Sequence, residues 1–314
     1  MLKPLPLPRP RPFVLPQPRR RLPRGKRLTI AAGFVCMDGL VLCADTQEVI
    51  PGYTKNRTEK VHEYLCSDKD FGMVIAGAGE VDLIEAAVQN IDEAISNTRD
   101  DHFYGVDARK VIENTFRDFF RKNIGPYAAF PRDDRPAVDL LIALYAHQEH
   151  VLLKASGSTV REVVATADCI GTGSIFAKSL IEKFYSPFMH LDEVAIAAAY
   201  IMYQVEKYEI NCGGPTDLYV VSPKINYFGR IPPVSLAELE PSFQEFDDSV
   251  RSLVGFVNCN MSDDDVKRII GLMQSKMLSI RDKLASSGKS HLYSDLSRLT
   301  SKPLASFPSE SDKK

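Results

Sequence analysis

The chain has 314 residues, of which 44% are hydrophobic and 25% charged, the balance of a folded globular protein rather than a low-complexity or disordered one. No apolar run approaches the ~20 residues that span a bilayer, and prolines and arginines interrupt the N-terminus where a signal peptide would carry its apolar core. The chain is therefore expected to be cytoplasmic and to have no membrane partner. The formal net charge of −2 conceals an asymmetry. Residues 1–27 hold nine Lys or Arg, eight prolines and no acid, which leaves 30 basic against 41 acidic residues in the rest.

That basic, proline-rich prefix is expected to be extended and disordered. Apart from Phe13 it has no aromatic side chain to stack on a base, so nucleic-acid binding is not expected. From Thr29 the pattern changes. Thr29 to Thr46 reads as two short apolar strands about an Asp38-Gly39 turn, a strong hairpin signal. Phe71 to Gly79 reads as a buried strand ending in a small-residue turn. Val81–Ser96 and Asp107–Asn123 have apolar residues at helical spacing, the second stopped by Gly125 and Pro126. Asp139–Tyr145 and Val151–Ala155 are predicted strands, and Ser174–Tyr185 and Leu191–Tyr208 predicted helices. Asp217–Val221 and Lys224–Phe228 are predicted to form a hairpin across Ser222-Pro223. Strands grouped apart from helix pairs argue against alternating α/β and for an α+β fold, two packed sheets each covered by a helix pair. Residues 233–286 are predicted to be a helical extension of the 29–232 body, and residues 287–314, rich in Ser and Lys, a disordered tail.

The six cysteines show no CxxC spacing and are read as reduced thiols. The histidines form no metal-ligand pattern, and the glycines fit neither a P-loop nor a dinucleotide fingerprint, so no cofactor or metal is expected.

Five motifs stand in order: TIAAGFVCMDGLVLCADT from Thr29, EKVHEY from Glu59, IAGAGEVD from Ile75, CIGTGS from Cys169 and EINCGG from Glu209. Over roughly residues 29–230 they resemble the β-type subunits of the proteasome, which are N-terminal nucleophile (Ntn) hydrolases. The resemblance implies a four-layer αββα sandwich, self-association into rings or larger assemblies, and threonine-type cleavage of peptide or unfolded-protein substrates. No motif specifies an ATPase partner.

Residue by residue, the resemblance assigns roles. Thr29, sixteen residues before Asp45, matches the nucleophile, although a β-branched residue at the head of a strand is ordinary. Lys60 matches the lysine that lowers the hydroxyl's pKa, with Asp45 holding its ammonium. Lys55 is the competing candidate. Gly77 matches the glycine whose N–H stabilises the oxyanion, with Gly79 as alternative because the turn before Asp82 is one residue longer. Thr172 falls where the family has a serine near the nucleophile's amine. Glu209 and Cys212 stand where the family has aspartate and serine. The carboxylate there is one methylene longer and the hydroxyl is replaced by a weaker thiol donor.

An N-terminal nucleophile requires a free α-amino group as base. In the sequence Thr29 follows Leu28, not the glycine that self-cleaving relatives have there, and the nearest glycine is Gly25. Either residues 1–28 are removed, or translation starts at codon 28 and the prefix is never made, or the prefix is retained and Thr29 is blocked. Three functions follow: a threonine peptidase, a non-catalytic structural subunit, and an Ntn amidase acting on small amides.

Overall fold

The structure is a computed structural model, and it describes residues 29–49, 55–57, 60–65, 71–98, 105–131, 135–146, 149–164, 166–222, 227–254 and 262–286. The expectations stated above for residues 1–28 and 287–314 lie outside these.

Twelve strands appear among the described residues. They are β1 (Ile30–Cys36), β2 (Gly39–Asp45), β3 (Gln47–Val49), β4 (Lys55–Arg57), β5 (Val61–Leu65), β6 (Phe71–Gly79), β7 (Val138–Ala146), β8 (Glu149–Ser156), β9 (Thr159–Glu162), β10 (Ala167–Gly171), β11 (Thr216–Ser222) and β12 (Tyr227–Ile231). The helices are α1 (Val81–Thr98), α2 (Gly105–Asn123), α3 (Ser174–Phe184), α4 (Leu191–Tyr208), α5 (Pro233–Ala237), α6 (Glu240–Val254) and α7 (Asp263–Ser286). One five-stranded sheet has the order β10-β1-β2-β11-β12 and a second the order β5-β6-β7-β8-β9, while β3 and β4 form a separate ribbon. All pairings are antiparallel.

Three apolar clusters give the four layers. Successive side chains of a strand point to opposite faces, and here both faces are covered. Ile30, Ala32 and Phe34 of β1 and Val41 and Cys43 of β2 pack against Ala198, Ile201 and Met202 of α4. Their alternates, Ala31, Leu40, Leu42 and Ala44, meet Val74, Ala76, Leu141 and Ala143 of the opposite sheet. On the far side, Met73, Ile75, Leu140 and Ile142 pack against Ile84, Ile91, Ile112 and Phe116 of α1 and α2. This is the α+β, αββα sandwich expected above, and its central strands are continuous apolar runs because neither face meets water.

Two local expectations change. Cys36 pairs with Gly39, so the two-residue turn is Met37–Asp38 and Gly39 opens β2. A Cβ on Gly39 would lie 2.1 Å from the Val221 carbonyl oxygen, so Gly39 is needed for strand approach. Asp38 Oδ1 instead accepts the Leu191 N–H at 2.9 Å and ties the turn to α4. Among the described residues the last strand of the hairpin is Tyr227–Ile231, which continues past the predicted end at Phe228; residues 223–226 lie outside the described set. Ser222 pairs with Tyr227, which sets the register.

Beyond β12, α6 docks on α3 and α4. Tyr200 stacks edge-on against Phe184, Phe243 and Phe246, and Asp247 accepts from Tyr200 Oη at 2.6 Å and Gln204 Nε2 at 2.8 Å. Among the described residues no helix is long and apolar enough to cross a membrane.

Candidate active site

Thr29 lies at the mouth of the sandwich, directly ahead of β1, and is 3% exposed. Its carbonyl oxygen accepts from the Gly173 N–H at 3.3 Å and from Thr172 Oγ1 at 3.4 Å. Gly171 makes that seat possible. Its φ is +89°, and a Cβ there would lie 2.2 Å from the Thr29 oxygen.

Asp45, at the end of β2, is fully buried and accepts four hydrogen bonds. Oδ1 takes Thr29 Oγ1 at 2.5 Å, Lys60 Nζ at 2.8 Å and the Ile30 N–H at 3.1 Å. Oδ2 takes the Gly213 N–H at 3.1 Å. Lys60, just before β5, donates to Asp45 Oδ1, to Thr29 Oγ1 at 2.8 Å and to the Gln47 carbonyl oxygen. An ammonium has three protons, and each finds an acceptor. The cation that reaches Thr29 is therefore Lys60. Lys55 lies in the β3–β4 ribbon.

This arrangement polarises one hydroxyl. Thr29 Oγ1 donates to a carboxylate and accepts from an ammonium, so the field at the oxygen favours negative charge there.

The remaining sequence-predicted residues surround this set with differences. The Gly77 N–H donates to the Lys60 carbonyl oxygen at 3.1 Å, so in this state it serves the scaffold. Gly77 is also required sterically, since a Cβ would come 2.4 Å from Ile84 Cγ2. Alternation along β6 turns the Gly79 N–H to the same edge, and Gly79 has φ +131°. Thr172 reaches the carbonyl of Thr29, whereas the family resemblance pointed to the amine. It also lies beside the Cys212 thiol. Burial, reinforced by the nearby Asp45 and Glu209 carboxylates, pushes that thiol up to about 12. Cys212 is a neutral packing and hydrogen-bonding group rather than a nucleophile. The Glu209 carboxylate turns to its own loop and accepts from Asn211 Nδ2 at 2.8 Å.

Sequence reasoning missed four contributors. Gly213 (φ +154°) supplies an N–H to Asp45. Thr46 Oγ1 donates to the Pro215 carbonyl at 2.8 Å and fixes the same loop. Gln47 accepts from Lys60 through its carbonyl, and among the described residues its buried Nε2 has no hydrogen-bond partner. Glu206 lies behind Asp45, and burial with the charges of Asp45 and Glu240 pushes its carboxyl up to about 8. The Gly213-Gly214 pair was the one visible signal. No group of His, Cys, Asp and Glu among the described residues is placed to hold a metal ion.

Comparisons follow the same direction. A family model described as "Proteasome subunit" matches residues 27–221. Among solved structures, a Gly-1 mutant of Anbu from Hyphomicrobium sp. strain MC1 is 18% identical with a TM-score of 0.58, covering 75% of this chain and 99% of its own. Anbu, an ancestral beta-subunit, from Yersinia bercovieri is 15% identical with a TM-score of 0.57, covering 74% and 98%. The helical assembly of the Anbu complex from Pseudomonas aeruginosa gives 12% identity, a TM-score of 0.59, and coverage of 74% and 99%. A comparison with curated proteins found no match.

Proposed function

Because the chain belongs to the proteasome subunit family, we propose that it is a threonine-type Ntn peptidase, active once Thr29 is the first residue of the mature chain. The observation that carries this reading is the buried hydrogen-bonded set of Thr29 Oγ1, Lys60 Nζ and Asp45 Oδ1. A hydroxyl held between an ammonium and a carboxylate is a nucleophile in waiting.

In the reaction, Thr29 Oγ attacks the scissile carbonyl carbon, and the free α-amine of Thr29 takes the hydroxyl proton. Lys60 stabilises the alkoxide character of the oxygen. The developing oxyanion needs N–H donors, worth ~3 kcal/mol each in such sites. Gly77 is the proposed donor once its bond to the Lys60 carbonyl opens, with Gly79 as the alternative. The proton passes from the amine to the leaving nitrogen as the C–N bond breaks, leaving an ester on Thr29. Water, deprotonated by the same amine, hydrolyses that ester and restores the hydroxyl. Peptides or unfolded chains are the proposed substrates, in the cytoplasm. By analogy with the helical assembly of Anbu, the working form is an oligomer of this chain.

Intact-mass analysis of natively expressed protein, followed by reaction with a peptide epoxyketone, tests the proposal. A chain starting at Thr29 that gains one label, lost in Thr29→Ala, is expected. A chain that retains residues 1–28 and takes no label refutes it. That outcome selects the non-catalytic subunit, a reading favoured by the continuous sequence through Leu28 and by the Gly77 N–H committed to Lys60. A labelled chain that hydrolyses small amides but not peptides selects the amidase.

A further inference from the structure

The loop that supplies the Gly213 N–H to Asp45 is anchored at its start by Cys212, buried in the apolar core, and at Pro215, whose carbonyl accepts from Thr46 Oγ1. Gly213 and Gly214 both have positive φ, at +154° and +82°, and neither carries a side chain to pack. On one side the loop is tied to β3 by the Gln47 N–H to the Gly213 carbonyl oxygen at 2.8 Å. Behind it lies a cavity of about 360 Å³, lined by Glu206, Glu240, Gly214, Pro215, Thr216 and Tyr203 among others. The brace there is a hydrogen bond from Thr216 Oγ1 to Glu206 Oε1 at 2.6 Å. Thr216 is the first residue of β11 and stands opposite Asp45 in register.

We propose that Glu206 is a positioning residue for Asp45, fixing through Thr216 the loop that presents the Gly213 N–H to that carboxylate. As a role in the reaction this rests on the peptidase reading above. As a statement about Asp45 it stands alone. The groups facing Glu206 come from four elements: Asp45 on β2, Glu240 on α6, Thr216 on β11, and Lys60 ahead of β5. Cys43 of β2 also feels its charge. Burial is the largest influence, the two carboxylates add to it, and Thr216 and Lys60 oppose it. Near neutral pH the carboxyl keeps its proton. Ionising it adds a third anion to the pair Asp45 and Glu240, beside a cavity into which the loop can yield.

The test compares wild type, Glu206→Gln and Thr216→Val across pH. The rate at which a peptide epoxyketone labels wild-type Thr29 is expected to be about tenfold lower at about pH 9 than near pH 7, as one ionisation near pH 8 requires. Glu206→Gln keeps the size and cannot ionise, so its profile lacks that alkaline fall. Thr216→Val, which cannot donate to the carboxyl, labels about tenfold more slowly throughout. Superimposable wild-type and Glu206→Gln profiles overturn the proposal. A second measurement does not depend on catalysis. The ¹³C carboxyl resonance of Asp45, assigned by Asp45→Asn, is expected to shift with an apparent pKa near 8 in wild type and to stay fixed in Glu206→Gln. If wild-type Thr29 takes no label at any pH, the peptidase reading falls, and this resonance decides Glu206. Loss of the titration upholds the role, and identical titrations in both proteins overturn it.

Discussion

Replacing Asp45 by alanine tests the centre of the site through stability, whatever reaction it performs. The substitution leaves the Lys60 ammonium, 6% exposed, with two acceptors in place of three. It also orphans the Ile30 and Gly213 N–H groups. Breaking one side of a buried ion pair costs about 3–5 kcal/mol, and each buried N–H left without a partner adds ~1 kcal/mol or more. Asp45→Ala is therefore expected to cost ~5 kcal/mol. At about 2–4 °C per kcal/mol for a domain of this size, that lowers Tm by about 10 °C or more. Lys60→Met is milder, because Asp45 keeps the Thr29 hydroxyl and two N–H donors. In Asp45→Ala/Lys60→Met the stranded charge is gone, so the double variant should be ~2–3 kcal/mol more stable than the sum of the single costs predicts. Urea unfolding of the four proteins closes the cycle. Additivity within ~0.5 kcal/mol would refute the picture of a coupled buried pair.

The pH dependence of stability follows from Glu206. Its carboxyl is raised to about 8 in the folded chain against ~4.3 unfolded, so the folded state holds a proton that the unfolded state has lost. Stability from this group is full below about pH 4 and declines as pH rises to about 8, by ~3 kcal/mol after discount for partial solvent access. Glu206→Gln should flatten that slope in urea titrations, and an unchanged slope refutes the assignment. Gly171→Ala must either relax a φ of +89° or move the Thr29 carbonyl. A loss of ~2 kcal/mol or more is expected, together with slower Thr29 labelling, and a Tm unchanged within a degree contradicts it. Asp247→Ala removes the acceptor for Tyr200 and Gln204, at a cost of ~1–3 kcal/mol. Limited proteolysis should then release the C-terminal helices faster than in wild type.

How much of this was legible in the sequence depended on the range of each interaction. Helix limits were legible to within about two residues, because periodicity and stop signals such as Gly125-Pro126 are local. Strands β1, β2, β6 and β7 were legible as apolar runs because both their faces are covered. The edge strand β12 runs three residues past its predicted end. Its register is set by pairing with β11, and an edge strand's own pattern is weak. Thr29 and Asp45 share one hairpin, so their sixteen-residue spacing encodes their contact. Gly213 donates to Asp45 from 168 residues away, and Thr172 reaches Thr29 across 143. No periodicity links such positions.

The Gly77 assignment shows a different limit. Position along β6 is a matter of spacing, and spacing places Gly77 beside Lys60. The direction and commitment of its N–H are matters of pairing. Successive residues of a strand offer their N–H groups to opposite edges, and Gly77 turns its N–H to the β5 edge. The Gly77 N–H meets the Lys60 carbonyl there. In the proposed peptidase that bond must open before Gly77 can serve an oxyanion: spacing identifies the glycine, and strand pairing decides when its N–H is available.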